Sequence, residues 1–322
     1  MLDEAGLQLL LDFERGLDPE HPERSQIPAR VLGYGEISTV FAIHMNGLTD
    51  LAFKRLPLFE DAGEIEQYHA AYDEYNRLLQ EEIGLQLPAH GCVDLLEGDR
   101  PILYIIQQQQ SGASIGHKAL HVLPEAMVLA LIRRALQEMQ LVWDFNQRQD
   151  RLQVALDGQI SNWSIAGFDA DSPRVTSETK LTYLDTSTPL FRVNGAEQLD
   201  PELFLRSAPS FLAWILRLFF VDDVVNRYSD FHRVAVDLVA NFYKEQRPEF
   251  VPVIISEINE FFAGEAAALD LEPLTENEVR SYYREDALIW RLYLSMRRID
   301  RTLTTRILGK EYPYILPGPI TR

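Results

Sequence analysis

The chain has 322 residues, of which 46% are hydrophobic and 25% charged, an ordinary globular balance long enough for one large domain or two lobes. Its 30 Lys and Arg stand against 49 Asp and Glu, a net charge of −19, which argues against general binding to nucleic acid phosphates and favours solubility or a cationic ligand. The one cysteine, Cys92, excludes a disulfide framework or a Cys-based zinc site within the chain and fits a reducing cytoplasm.

Residues 1–16 (MLDEAGLQLLLDFERG) lack the basic start and cleavage site of a signal peptide and read as an amphipathic helix. A loop rich in Pro and charge follows. VLGYGEISTVFAIHM and LTDLAFKRLPL then carry β-branched and aromatic residues at strand-like spacing. EIEQYHAAYDEYNRLLQEEIG reads as a helix stopped by Gly84. LPAHGCVDLLEG and PILYIIQQQQ read as two strands, and SGASIG as a flexible connection. PEAMVLALIRRALQEMQLVWDFNQ is a long helix with Pro124 in its first turn. NWSIAGFDADSPRVTSETKLTYLD reads as a hairpin around the turn-rich DADSP. From about residue 200 the pattern is helical. The most apolar window, residues 211–221, is too short to span a bilayer and reads as a buried helix. A strand-rich first third followed by a helical remainder implies an α+β protein of two lobes meeting near residue 110, where a ligand would sit.

Several short stretches could carry chemistry. Gly33 and Gly35 lie between strand-like residues, where they let the backbone approach a phosphate or simply make a turn. Lys54 and Arg55 follow one another in a strand, so they point to opposite faces, and whichever is buried needs an acid partner. Glu74 is the preferred partner because it shares a helical stripe with Leu78, and Glu66 is the reserve. Asp157 and Asn162 stand five apart in VALDGQISNW. Asp185 directly follows a strand ending in Tyr183 and Leu184, a place for a turn, a helix cap or a magnesium ligand.

Taken in order, these pieces resemble the protein kinase-like superfamily, nearest the aminoglycoside phosphotransferase and choline kinase group, over about residues 30–190. The resemblance implies an N-lobe at 1–110 and a helical C-lobe at 111–322, with a catalytic-loop-like segment at 154–190. It implies that Gly33 and Gly35 cover the phosphates of ATP, and that Lys54 holds them and pairs with Glu74. The backbone near Gln107 to Gln110 would receive adenine, with Gln108 and Gln110 as the contact positions. Asp157 would accept or orient the proton of a substrate hydroxyl, and Asn162 and Asp185 would bind magnesium. The implied activity is ATP- and magnesium-dependent phosphoryl transfer to a small-molecule hydroxyl, where alignment and charge neutralisation do most of the catalysis. Ser38 stands where the family has a third glycine, Glu36 lies at the loop tip, and Ala155 and Leu156 precede Asp157 in place of the usual His-Gly or His-Arg. These departures leave a nucleotide-binding pseudokinase or a nucleotidyl transferase as alternatives.

Other candidates carry less. His117 and His121 stand four apart but have too few companions for zinc. Cys92 lacks an oriented base and reads as a structural thiol. Leu288, Leu292, Met296, Ile299, Leu303 and Ile307 recur at near-helical spacing beside Arg291, Arg297, Arg298, Arg301 and Arg306. This pattern reads as a last helix docked by its apolar stripe on the acidic lobe, with a membrane surface or a partner as the other possibility.

Overall fold

The structure is a computed structural model, and it describes residues 1–35, 38–97, 100–200, 202–206, 226–310 and 312–318. Glu36 and the window 211–221 lie outside the described residues.

Helix α1 (Glu4–Arg15) starts where the Asp3 carboxylate accepts from the Gly6 amide at 2.8 Å, and it buries Leu10 and Phe13. It lies on a five-stranded antiparallel sheet of β1 (Ala29–Tyr34), β2 (Thr39–Ile43), β3 (Leu51–Leu56), β4 (His90–Glu97) and β5 (Arg100–Gln108), in the order β1-β2-β3-β5-β4. Strand alternation divides β3 between two cores. Phe53 joins Leu10, Phe13 and Phe41 under α1, whereas Leu56 joins Ile65, Tyr68 and Tyr72 on the other face.

That second face is covered by α2 (Ala62–Arg77), capped by the Asp61 carboxylate on Glu64 N at 3.0 Å. Its buried face is a stripe of Tyr68, Tyr72 and Tyr75 at helical spacing. The helix runs into a wide turn over Leu78–Ile83 and stops at Gly84, whose φ of +94° needs a glycine.

The remainder is mainly helical. Helix α3 (Gly116–Ala119) is short, and α4 (Glu125–Asn146) buries Val128, Leu131, Ile132, Ala135, Leu136, Met139 and Val142, an i, i+3, i+4, i+7 stripe. Three-residue strands β6 (Leu152–Val154) and β9 (Phe191–Val193) form a small sheet with β10 (Ala196–Glu197), and β7 (Trp163–Ile165) pairs with β8 (Leu181–Tyr183) as the expected hairpin. After α5 (Glu202–Arg206) come α6 (Phe231–Lys244), α7 (Val251–Ala263) and α8 (Glu276–Thr302). Helices α4, α6 and α7 share one core, with Trp143 stacked on Phe231 at 4.5 Å. Among the described residues no helix is long and apolar enough to cross a membrane.

Two expectations need correction. SGASIG is an ordered turn rather than a flexible connection: Ser114 is buried, with its hydroxyl 2.8 Å from that of Ser164. The apolar stripe of the last helix does not dock. Helix α8 turns Val279, Ala287, Leu294 and Arg297 inward and leaves Leu288, Leu292, Ile299 and Leu303 exposed. Packing of aromatic neighbours decides this, since the Arg297 guanidinium lies over the rings of Tyr293 and Tyr314 at 5.4 and 4.8 Å.

Helix α1 and the segment around Pro313 and Ile315 meet on the α1 face of the sheet. Arg55 is 4% exposed and makes two hydrogen bonds to the Glu14 carboxylate, at 2.7 and 2.8 Å. It also donates to the carbonyl of Pro313 at 2.6 Å, and Ile315 packs into the same core as Phe41 and Phe53. A charge this buried needs such a partner set, and α1 supplies the acid.

Candidate active site

Strand alternation sends Lys54 to the face opposite Arg55, towards α2. There its ammonium donates to the Asp185 carboxylate at 2.7 Å and to the Ser187 hydroxyl, and Ser187 in turn donates to Asp185 at 2.8 Å. Lys54 and Asp185 are 131 positions apart in sequence, so only the tertiary fold brings them together. The segment carrying Asp185 is held on both sides. The Tyr68 hydroxyl donates to Ser187 O at 2.6 Å, and the Gln107 side chain donates to Leu184 O at 3.0 Å. Burial would raise the Asp185 carboxyl, but Lys54 and the Ser187 hydroxyl hold it below its usual range, so it is ionised.

Asp157 stands in the loop between β6 and β7, and that loop is clamped by its backbone. Asn146, the last residue of α4, bonds both the amide and the carbonyl of Val154, at 2.8 and 2.7 Å. The Tyr75 hydroxyl donates to Ala155 O at 2.8 Å. The carbonyl of Asp157 accepts from Asn162 Nδ2 and from the Tyr183 hydroxyl, each at 3.2 Å. The amide of Leu184 donates to Asn162 O at 2.8 Å, which ties this loop to the Asp185 segment. From below, α3 presses on the loop: a Cβ on Gly116 would run into the carbonyl oxygen of Ile160.

The electrostatics of Asp157 are unlike those of Asp185. Burial, then Asp237 on α6, then Asp185, push its carboxyl up to about 8. Asp237 is itself 6% exposed and raised by burial and by Asp286. Asp157 is therefore a carboxyl that binds a proton near neutrality, beside one that does not.

Of the residues singled out from the sequence, Lys54, Asp157, Asn162 and Asp185 come together. Glu74 does not. It makes a two-point ion pair with Arg77, at 2.9 and 3.0 Å, on the outer side of α2. The reserve, Glu66, is exposed, and Glu64 is engaged with Arg206 at 2.6 and 2.7 Å. The expected Lys54–Glu74 pair is thus replaced by Lys54–Asp185, because the face that α2 turns to the sheet is its tyrosine stripe. Gly33 sits in β1 with open space where a side chain would be, and Gly35 closes the β1–β2 turn by donating its amide to Ser38 O at 3.0 Å. At the end of β5 the amides of Gln108 and Gln109 donate to Ala89 O and Asp50 O, at 2.8 and 2.9 Å, while the Gln110 side chain turns back to Gln108 O at 3.2 Å. Those two amides are spent within the fold, so a nucleobase there would be left with other groups.

Three positioning residues escaped the sequence reading: Tyr68, Tyr75 and Asn146. The tyrosines were visible as a spacing of i, i+7 in QYHAAYDEY, whereas Asn146 gave no signal apart from its place at a helix end.

Magnesium binds oxygen ligands, commonly one or two carboxylates completed by substrate phosphates and water. The donor set here fits that chemistry: an ionised carboxylate on Asp185, and Asn162, whose amide nitrogen is engaged with the loop and whose amide oxygen remains. Among the described residues no group of three or more His, Cys, Asp or Glu could by itself hold a metal ion. Burial and the nearby Lys118 and Lys244 lower His117 to about 4, which leaves it neutral.

A family model described as "Family of unknown function (DUF6206)" matches residues 19–301. The chain belongs to that family. No curated protein matches the sequence. Similar solved structures include WaaP in complex with acyl carrier protein, at 14% identity and TM-score 0.34, covering 77% of this chain and 96% of that one. The GDP complex of wild-type aminoglycoside 2'-phosphotransferase-IIIa is similar at 10% identity and TM-score 0.32, covering 82% and 100%. The GDP and kanamycin complex of APH(2")-IIIa is similar at 12% identity and TM-score 0.32, covering 80% and 99%. This DUF6206 chain shares with the sequence-based expectation a strand-rich sheet region and a helical C-terminal part.

Proposed function

We propose that the chain is an ATP- and magnesium-dependent phosphotransferase acting on a hydroxyl of a small molecule. One observation carries the reading: Lys54 meets Asp185 at 2.7 Å while a hydrogen bond from Leu184 to Asn162 joins that segment to the Asp157 loop. A cation, an ionised carboxylate, an amide oxygen and a second carboxyl of raised basicity stand together, which is what aligning a phosphate and deprotonating a hydroxyl require.

In this reading the nucleotide lies between residues 1–110 and 111–322. Gly33 and Gly35 cover its phosphates, and Lys54 contacts them. The base sits near Gln107 to Gln110. Bound magnesium supplies charge neutralisation on the phosphates, held by Asn162 and Asp185. Asp157 accepts the proton of the acceptor hydroxyl, and the net charge of −19 favours an acceptor that is cationic. The single cysteine suits a reaction in the cytoplasm.

A second reading has its own support. With Lys54 bound to Asp185 and Ser187, and Glu74 turned outward, the site is latched shut, as suits a nucleotide-binding regulatory protein without turnover. Melting with ATP, with magnesium, with both and with neither separates the cases, since a ligand of the folded state raises the melting temperature. A rise that needs both and vanishes in Asp185→Ala, with phosphate transferred to an acceptor, supports the enzyme. A rise without turnover supports the regulator. No rise at saturating ATP and magnesium refutes both.

A further inference from the structure

We propose that the outward face of α8 is a docking surface for an anionic lipid bilayer. Leu288, Leu292 and Ile299 are 64, 54 and 53% exposed, and the stripe continues through Leu303 to Ile307, which is 71% exposed. At 100° per residue, Leu288, Leu292, Ile299 and Leu303 fall within a narrow sector of the helix surface. Arg291 and Arg298 are exposed along one edge of that sector, and Arg306 continues the stripe in the turn beyond the helix. Among the described residues their partners are carbonyls: Arg291 donates to the Ala287 carbonyl at 3.0 Å and Arg298 to the Pro317 and Gly318 carbonyls at 3.2 and 3.0 Å. Carbonyls do not neutralise a guanidinium.

The occupant follows from charge. From Leu288 to Lys310 there are six Lys or Arg and one Asp; with Arg297 turned inward, the outward charge is +4 in a chain of −19, so the rest carries −23. An anionic surface repels that remainder and attracts this face, which orients docking. An apolar stripe edged by arginines is the pattern of a helix lying in the plane of a bilayer interface, with side chains reaching the acyl boundary and guanidinium groups among the phosphates. A second copy fits less well. A two-fold contact through the stripe would bring arginine edges together, and a contact with an acidic face elsewhere on another copy would not close. The docking needs no bilayer-spanning segment and is independent of the phosphotransfer reading.

The test is co-sedimentation of the full chain with vesicles of phosphatidylcholine alone and of equal parts phosphatidylcholine and phosphatidylglycerol. Binding is expected to the anionic vesicles only and to weaken with salt. Leu292→Asp with Ile299→Asp removes it, and Arg298→Glu or Arg306→Glu each weakens it by at least about fivefold, the worth of one basic residue at such a surface. Leu292, Ile299 and Arg306 are exposed and have no side-chain hydrogen bond among the described residues, so the melting temperatures of their variants stay at that of the wild type, which separates lost docking from lost folding; Arg298→Glu also gives up two hydrogen bonds to the Pro317 and Gly318 carbonyls and is read only beside Arg306→Glu. The proposal is overturned if the chain stays in the supernatant with both vesicles, or if the variants pellet like the wild type. It is also overturned if sedimentation velocity shows a dimer that Leu292→Asp dissolves while vesicles are ignored.

Discussion

Asp157→Asn gives the sharpest test of the site. The wild-type carboxyl holds its proton up to about 8 in the folded chain, because of burial and the neighbouring Asp237 and Asp185. In the unfolded chain it releases that proton near the ordinary value of about 4. Between those limits the folded state binds one proton more, so stability is fully present below the unfolded value and is lost as pH rises through the folded one. The loss is at most about 1.4 kcal/mol per pH unit, or roughly 2.7 kcal/mol between pH 5 and pH 7. Coupling to Asp237 shares the proton between two groups and lowers the slope. Asparagine has the same shape and no proton to lose. Urea unfolding of both proteins at pH 5, 6 and 7 is the assay. The variant should gain on the wild type by about 1 kcal/mol or more per pH unit, within the ceiling of one proton. A gap that is the same at all three pH values would refute the claim that Asp157 carries a proton near neutrality.

The remaining expectations concern the supports of the site. Glu74→Gln breaks only an outer ion pair, so unfolding free energy should change by about 1 kcal/mol or less, and any nucleotide-induced rise in melting temperature should be intact. Glu14→Gln leaves the Arg55 charge buried without its acid and should cost about 3–5 kcal/mol in urea unfolding. Gly116→Ala forces a methyl against Ile160 O under the Asp157 loop, which should cost about 1–3 kcal/mol and lower turnover more than nucleotide affinity in steady-state kinetics.

The order of elements up to Asp185 was legible because strand alternation, helix periodicity and glycine stops are local signals. Lys54, Asp157, Asn162 and Asp185 were legible for a different reason: each is a polar residue at the end or within an apolar run, in an order that resembles a known arrangement. The partner of Lys54 was not legible. Counting from Leu78 put Glu74 on the inner stripe, but the tyrosines at 68, 72 and 75 bury more apolar surface and took that face, rotating the glutamate outward. The sheet of β6, β9 and β10 was missed because strands of two or three residues have no period to detect. In α8 the spacing was read correctly and its direction wrongly. A helix with Leu and Ile on one side and Tyr, Leu294 and Arg297 on the other has two candidate inner faces, and aromatic stacking on the arginine decides between them.

The meeting of α1, β3 and Pro313 at Arg55 has a consequence for synthesis. A ribosome delivers Arg55 and Glu14 early, yet the carbonyl that completes the guanidinium's partner set, and Ile315 that packs with Phe53, emerge some 250 residues later. Chains fold as they emerge, N-terminal parts first. The opening sheet must therefore wait, with one face partly uncovered, until the helical part has been made and the tail has returned to it. An arrest of translation before residue 313 should yield nascent chains in which the helical core resists protease and the first hundred residues do not.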